Sequence, residues 1–256
     1  MRVATEAAEL LDGALHSERT LVDTKSTSTD MVTEMDGASE ALLERRLHEL
    51  RPDDGLIGEE GTARTGTSGV TWVVDPLDGT TNYLYRHPFW NVSVGAVVDG
   101  EPAAGAVVIP ALGEVFAGAT GHGATRNGVP LRIAPPAPLA TSLIGTGFGY
   151  DPVMRAAQAG AVATFIDRIR DIRRGGAAAA DLCSVAGGRL DAYFEHGLYD
   201  WDRAAGAVIA REAGARVEVL ASPLPGLDQP GDCTVAAHPE RFDELVALLG
   251  GAGLLG

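Results

Sequence analysis

The sequence is poor in residues that bind zinc or form disulfides. Its two cysteines, Cys183 and Cys233, lie far apart and outside any zinc-finger spacing. Its six histidines are scattered, and no two follow the H-x-x-x-H pattern of helical zinc sites. These absences argue against a zinc site and a disulfide framework, and they predict that both thiols are free and buried.

Positive charge is also scarce. The chain has 20 lysines and arginines against 35 aspartates and glutamates, a net charge of −15 at pH 7. Such a chain should not attract nucleic acid or an anionic membrane non-specifically. It would also repel a phosphorylated substrate unless bound cations or local arginines reverse the field.

Long apolar runs, repeats and low-complexity tracts are absent as well. No apolar stretch is long enough to cross a membrane. The N-terminal residues include Glu6 and Glu9 among apolar neighbours, unlike a secretory signal peptide. We therefore expect a cytoplasmic protein with no membrane partner. With 45% hydrophobic residues, the 256-residue chain can form one large domain or two lobes that share an interface.

Residues 72–83, W-V-V-D-P-L-D-G-T-T-N-Y, carry the clearest chemical signal. The apolar run 70–74 predicts a buried strand that ends at two aspartates, Asp75 and Asp78. Two carboxylates at a strand end repel each other unless a cation joins them. Free backbone N–H groups after Gly79, as at a helix start, suit an anion. The pattern therefore indicates hard metal ions beside a phosphate.

Three other settings that contain closely spaced aspartates can be compared with this sequence. An ordinary Asp-Gly turn accounts for an isolated D-x-x-D-G sequence. The sequence does not match an EF-hand loop, because the sixth and twelfth residues counted from Asp75 are Thr80 and Arg86 instead of glycine and glutamate. The haloacid-dehalogenase phosphatases match poorly, since their second aspartate follows the first by two residues and not by three.

Hydrophobic periodicity and turn residues predict the remaining elements. The predicted helices span residues 3–15, 38–50, 153–166, 177–186, 202–212 and 239–249. Further predicted strands span residues 92–98, 105–109, 114–119, 142–146, 171–174, 190–195, 217–220 and 233–237. The second helix has an apolar stripe of Leu42, Leu43, Leu47 and Leu50. Residues 23–36 are expected to be extended or looped, and residues 61–69 to form a mobile loop.

The order of these elements suggests an antiparallel sheet packed against helices. Asn127-Gly128 between extended flanks predicts a tight hairpin within that sheet. Prolines at 135, 136 and 138 mark the best candidate boundary, between an N-terminal lobe (1–134) and a C-terminal lobe (135–256).

Acidic residues cluster at several places along the chain. They are Asp36, the pair Glu59-Glu60, the pair Asp75 and Asp78, and Asp202. Magnesium takes octahedral oxygen ligands and keeps some waters, so these carboxylates with the Leu77 carbonyl could hold two or three ions. Each cluster could also have an ordinary structural role, such as an acidic loop for Glu59-Glu60 or a helix N-cap for Asp202.

Four motifs together resemble the inositol monophosphatase family of magnesium-dependent, lithium-sensitive phosphatases. Residues 58–60 match its G-E-E step, and residues 72–83 match its W-x-x-D-P-L/I-D-G-T-x-N signature. Residues 201–206 match its C-terminal W-D-x-A-A/G-G signature, and residues 25–36 resemble its upstream segment ending in V-T-x-x-D. The resemblance spans nearly the whole chain and implies an α/β (α+β) sandwich layered α-β-α-β-α.

The resemblance also implies roles for individual residues. One Mg²⁺ would bind Glu59, Asp75 and the Leu77 carbonyl; a second would bind Asp75, Asp78 and Asp202; a third, weaker ion would use Glu59 with water. Glu59 and Thr80 would position the attacking water, with Asp36 orienting the base or holding water. The substrate-binding residues would be Gly79, Thr80, Gly176, Ala178, Glu195 and Asp202. Residue 177 is alanine, so a hydroxyl often found there is absent. Lys25, Arg173 and Arg174 are candidate cations for offsetting the phosphate charge.

The function implied is hydrolysis of inositol monophosphate to inositol and phosphate by a metal-activated water. Histidinol phosphate, fructose 1,6-bisphosphate and related sugar phosphates are alternative substrates, because those branches share the metal site. A regulatory partner that keeps the fold without the activity is a hypothesis of another class. The family further implies a homodimer.

Overall fold

The computed structural model describes residues 1–15, 22–24, 31–224 and 231–256. For residues 22–24 and 31–33 it describes the backbone alone. The candidate cation Lys25 and the start of the upstream motif lie outside these residues.

Seven helices are found in the described residues. They are α1 (Arg2–Ala14), α2 (Glu34–Leu50), α3 (Thr80–Leu84), α4 (Pro152–Ala163), α5 (Ala178–Ala186), α6 (Asp200–Glu212) and α7 (Pro239–Gly251). Each predicted helix is present, with ends displaced by a few residues.

Fifteen strands accompany these helices. The N-terminal strands are β1 (Val22–Thr24), β2 (Met31–Thr33), β3 (Gly55–Gly58), β4 (Ala63–Arg64), β5 (Val70–Asp78), β6 (Asn91–Val98), β7 (Glu101–Ile109), β8 (Glu114–Ala119), β9 (Gly123–Arg126) and β10 (Val129–Pro130). The C-terminal strands are β11 (Leu143–Thr146), β12 (Asp171–Arg173), β13 (Ala192–His196), β14 (Arg216–Ala221) and β15 (Asp232–Ala237).

The strands form two large sheets and one small ribbon. An eight-stranded sheet has the order β10-β9-β8-β7-β6-β5-β3-β4, with all neighbours antiparallel except β3 and β5. A five-stranded sheet has the order β12-β11-β13-β15-β14 and mixes parallel and antiparallel pairs. Strands β1 and β2 pair separately as an antiparallel ribbon. The predicted hairpin is present, with Asn127 and Gly128 at positive φ between β9 and β10.

Apolar cores join the layers of the sandwich. One core packs α1 and α2 against one face of the eight-stranded sheet, through residues such as Leu11, Leu43 and Val94. A second core surrounds α5 and α6 between the two sheets, and a third covers the outer face of the five-stranded sheet with α7. The predicted layered α/β sandwich is therefore confirmed. Both thiols lie in these cores, free and buried as predicted.

Three local predictions were wrong in detail. Helix α2 begins at Glu34 instead of residue 38, so Asp36 lies in its first turn and not in a loop. Residues 61–69 contain a short strand, β4. Leu50 is 44% exposed, so the buried stripe of α2 ends at Leu47. The stripe was over-extended because the last turn of a helix often projects beyond the sheet that it covers.

The proposed lobe boundary at residues 135–138 stays a prediction. These prolines lie between β10 of the first sheet and β11 of the second. Helix α6, which follows in the C-terminal half, nevertheless packs on the first sheet, where Ala205 and Ile209 share a core with Val107 and Phe116. Among the described residues, no helix combines the length and apolar character that a membrane span requires.

Helix α6 approaches the eight-stranded sheet so closely that β7 has a glycine beneath it. A Cβ on Gly105 would lie 2.6 Å from both the Cα and the carbonyl oxygen of Ala205. These are backbone atoms, so the helix would have to move. Because α6 also carries Asp202, this contact sets the distance between that carboxylate and the sheet.

We predict that Gly105→Ala lowers the free energy of unfolding by about 1–3 kcal/mol, the usual cost of overpacking. Gly160→Ala is the matched control, because Gly160 is exposed in α4 and a Cβ there meets no atom within 4 Å. Alanine should stabilise that helix by about 1 kcal/mol. Urea unfolding measures the free energy of unfolding of both variants. Equal values for Gly105→Ala and Gly160→Ala would contradict the close approach of α6 to β7.

Candidate active site

A β-bulge places Asp75 and Asp78 on the same face of the sheet. Residues three apart in a regular strand point to opposite faces. Here Asp75 pairs with Ser93 and Asp78 with Asn91, so two residues of β5 stand opposite one residue of β6 between these pairs. Pro76 lies in the bulge, where its missing N–H is tolerated. The strand predicted to end at residue 74 therefore continues to Asp78, with both carboxylates aligned.

Asp78 links the first sheet to helix α5. Its Oδ2 accepts hydrogen bonds from the Asn91 amide at 2.8 Å and from the Ala179 N–H at 2.8 Å. Its Oδ1 accepts from the Ala178 N–H at 3.1 Å. Ala178, predicted to contact substrate, thus already donates its N–H to Asp78. The two backbone donors, Ala178 and Ala179, belong to the first turn of α5, where a negative charge is favourable.

Helix α2 contacts the bulge from the other side of the strand. The Ser39 hydroxyl donates to the Pro76 carbonyl at 2.9 Å. The Thr80 hydroxyl lies 3.1 Å from the Leu77 carbonyl oxygen and 3.4 Å from Oδ2 of the buried Asp36. Two residues predicted to have catalytic roles, Asp36 and Thr80, are therefore brought together.

Glu59 and Asp202 reach the same region from two further elements. Glu59 follows β3, and its N–H donates to the Val74 carbonyl at 3.2 Å, beside the start of the bulge. Asp202 caps α6, with Oδ2 accepting the Tyr199 N–H at 2.7 Å. The Ser93 hydroxyl donates to the Trp201 carbonyl at 3.2 Å, which ties this cap to β6.

Burial and mutual repulsion raise the pKa values of these carboxylates. Burial raises the pKa of Asp75 well above its usual range, and the charges of Glu59, Asp78, Asp202 and Asp36 raise it further. Burial likewise raises the pKa of Asp202, with Glu59 and Asp78 adding to the shift, although Asp202 keeps some solvent exposure. Five predicted acidic residues therefore interact across the fold.

The carboxylates do not yet form a closed ligand set. Within the described ranges, no three His, Cys, Asp or Glu side chains are arranged so that they could hold a metal ion. Burial is the main cause of the raised pKa values of Asp75 and Asp202, and repulsion from the neighbouring carboxylates adds to it. The donors are nevertheless oxygen atoms only, which is the chemistry that Mg²⁺ prefers.

Two of the residues predicted to bind substrate, Gly79 and Gly176, lie close together beside the bulge. Gly79 has φ +89°, and a Cβ on it would lie 3.2 Å from the Ala177 Cβ and from the Gly176 carbonyl oxygen. The Asn82 side chain donates to the Gly175 carbonyl at 2.9 Å, which holds the start of α3 against the segment before α5. Glycine at position 79 thus permits close contact between two distant segments.

Glu195 lies on β13 near the same segment. The Tyr193 hydroxyl donates to its carboxylate, while burial raises the pKa of Glu195 and Arg174 opposes that shift. Of the two candidate arginines, Arg174 therefore acts on the site. Arg173 instead pairs with Asp171 at 2.7 Å on the surface.

Sequence reasoning missed three residues around the site. Asp181 is buried in α5, and burial raises its pKa well above the usual range, with Glu195 and Asp78 adding to the shift. The sequence feature that could have identified Asp181 is that it is the only charged residue in a helix of small and apolar residues. Asn91 holds Asp78, and Glu40 is buried one turn after Asp36. That spacing of four puts Glu40 and Asp36 on one helix face.

Comparison with known proteins assigns the chain to a family. The model of the inositol monophosphatase family matches residues 1–249. The chain is a member of the inositol monophosphatase family. Members are metal-dependent phosphatases, generally with Mg²⁺. The predicted family and phosphatase class are therefore confirmed.

Individual family members are similar over most of their length. The inositol-1-monophosphatase SuhB of Mycobacterium tuberculosis is 48% identical over 237 residues, covering 89% of this chain and 81% of that protein. The solved structure of M. tuberculosis SuhB covers 100% of this chain and 95% of its own, with a TM-score of 0.85 and 43% identity. The Nus factor SuhB of Xylella fastidiosa is 36% identical over 233 residues, covering 90% and 84%.

The acidic site of this inositol monophosphatase family member predicts a pH-dependent stability in EDTA. Burial raises the pKa of Asp78 to about 6 from 3.8, so the folded state holds this proton more tightly than the unfolded state. Stability is therefore lost as pH rises between these two values. Between pH 5.0 and pH 7.5, we expect the free energy of unfolding of Asp78→Asn to rise by about 1 kcal/mol relative to that of the natural chain. Thermal unfolding at both pH values measures this, and a pH-independent difference would contradict it.

Proposed function

We propose that the protein hydrolyses inositol monophosphate to inositol and phosphate with two to three Mg²⁺ ions. The observation that carries this proposal is the convergence of Glu59, Asp75, Asp78 and Asp202 from strand β5, helix α6 and the turn after β3. An acidic protein that binds an anionic ester needs cations between the two, and these carboxylates are where cations would be most stabilised.

The metal ligands in this proposal are those that the family resemblance implies. Glu59, Asp75 and the Leu77 carbonyl hold the first ion, and Asp75, Asp78 and Asp202 hold the second. Glu59 with water holds the third and weakest. Bound magnesium supplies positive charge that offsets the phosphate ester and activates water for attack.

The protein's own groups then orient the reactants. The Thr80 hydroxyl can donate to Asp36, which leaves its oxygen lone pairs free to accept a hydrogen bond from the attacking water. Glu59 accepts the second hydrogen bond of that water. Asp36 thus acts by fixing the direction of the Thr80 hydroxyl, and both groups favour the in-line geometry of phosphoryl transfer.

The substrate contacts in this proposal are those that the family resemblance implies. Gly79 and Thr80 bind the phosphate, while Gly176, Ala178, Glu195 and Asp202 bind the alcohol. Glu195 is supported by the Tyr193 hydroxyl, which fixes its carboxylate. Alanine at residue 177 removes a side-chain hydroxyl next to Gly176, so the alcohol is selected mainly by Glu195 and backbone groups.

The decisive test is phosphate release from inositol 1-phosphate with Mg²⁺ and with EDTA. We predict that Asp202→Asn lowers kcat/KM by roughly 100-fold or more, because it removes a charged metal ligand. Asparagine can still accept the Tyr199 N–H, so the cap and the fold should persist. Asp200→Asn is the matched control, since Asp200 is an exposed neighbour on α6.

Activity that survives EDTA, or an Asp202→Asn variant as active as the control, would contradict the proposal. The same assay with histidinol phosphate and fructose 1,6-bisphosphate separates the alternative substrates. Inositol 1-phosphate should give the highest kcat/KM of the three.

A regulatory function is the second candidate, because the similar Xylella protein is called a Nus factor. The complete set of acidic residues favours an enzyme, since a purely regulatory role does not require it. Phosphate release distinguishes these two classes. On the family resemblance alone, we extend the proposal to a lithium-sensitive homodimer in the cytoplasm.

A further inference from the structure

Glu40 of helix α2 is a buried carboxylate outside the proposed ligand set. It is 3% exposed and lies one helical turn after Asp36. Its Oε2 accepts the Glu60 N–H at 2.9 Å, and its Oε1 accepts the Thr62 N–H at 3.0 Å. Both oxygens of this carboxylate thus accept hydrogen bonds from the turn that follows β3.

The turn after β3 leaves space for this carboxylate and directs N–H groups at it. A Cβ on Gly58 would lie 2.2 Å from the Glu40 Oε2, so only glycine leaves room for it. The Gly58 N–H donates to the Thr62 carbonyl at 2.8 Å, and Gly61 has φ +107°. The turn therefore closes over the carboxylate, with N–H groups directed inward.

Glu59 is the residue within this turn that belongs to the candidate active site. Its own N–H is fixed to the Val74 carbonyl on β5, and the next N–H along the chain is fixed to Glu40. The backbone of Glu59 is consequently held from both sides. The same helix holds the bulge through Ser39 and Pro76, so the turn and the bulge share one support.

We propose that Glu40 is a positioning residue that fixes Glu59 relative to Asp75 for metal binding. This inference rests on the proposed function, because it takes Glu59 as a metal ligand. Charge-assisted hydrogen bonds from backbone N–H groups to a carboxylate are strong and directional. Groups that support metal ligands in this way usually change metal affinity by about 10- to 100-fold when they are removed.

The test is Mg²⁺ binding to the full-length protein, measured by calorimetry without substrate. In Glu40→Gln the amide NH₂ faces a backbone N–H, so one of the two hydrogen bonds is lost. We expect Mg²⁺ affinity to fall about 10- to 100-fold. In the phosphate-release assay, the Mg²⁺ concentration that gives half-maximal activity should rise by the same factor. The kcat at saturating Mg²⁺ should stay within about threefold of that of the natural chain.

Two further variants make the test specific. Glu44→Gln removes the same charge one turn further along α2, where the partly exposed Glu44 side chain makes no hydrogen bond to the described part of the chain, and it should leave Mg²⁺ affinity unchanged. Gly58→Ala keeps the charge but displaces the carboxylate from the turn, and it should weaken Mg²⁺ binding as Glu40→Gln does. If Glu40→Gln fails to fold, Mg²⁺ binding to Gly58→Ala tests the role of Glu40 instead.

Unchanged Mg²⁺ affinity in Glu40→Gln, or in Gly58→Ala where only that variant folds, would overturn the inference and leave the proposed function standing. Equal losses in Glu40→Gln and Glu44→Gln would also overturn it, since they would reflect charge alone. A natural chain that binds Mg²⁺ but releases no phosphate would refute the proposed function, while the affinities would still decide the role of Glu40. A natural chain that binds no Mg²⁺ would refute both.

Discussion

Repulsion between buried carboxylates is the constraint that the rest of the molecule must satisfy. Asp75 lies among four other acidic side chains, in surroundings that already disfavour its own charge. Backbone and side-chain donors offset part of this cost, as with the three hydrogen bonds to Asp78 and the N–H of Tyr199 to Asp202. The remaining repulsion is energy that a bound divalent cation would relieve, so the same arrangement that weakens the metal-free fold favours metal binding.

Three rigid elements keep the acidic groups together against that repulsion. Helix α2 supports the β5 bulge and the turn bearing Glu59, while α6 is held against β7 by the close approach at Gly105. Helix α5 directs its first N–H groups at Asp78. Sites built on helices and strands hold their geometry better than sites on loops, which suits a reaction that depends on placement and charge.

Local pattern predicted the elements well and the site geometry poorly. Helical periodicity located α1 and α7 because their apolar faces repeat regularly, but it missed the first turn of α2, where Gly37 interrupts the pattern. The β5 bulge could not be inferred, since D-P-L-D fits a turn equally well and only pairing with β6 reveals the extra residue. Convergence of Asp36, Glu59 and Asp202 came from the family resemblance, because no local rule relates carboxylates so far apart in sequence. Asp181 was overlooked for the same reason: its environment comes from Glu195 and Asp78 on other elements.

The claim that these distant carboxylates share divalent cations can be tested by direct observation. Crystals of the protein grown with Mn²⁺ in place of Mg²⁺ would give anomalous scattering from each bound ion. We predict at least two peaks, one within coordination distance of Glu59 and Asp75 and one within coordination distance of Asp75, Asp78 and Asp202. Peaks found only elsewhere on the protein, or no peak near Asp75 at saturating Mn²⁺, would contradict the claim.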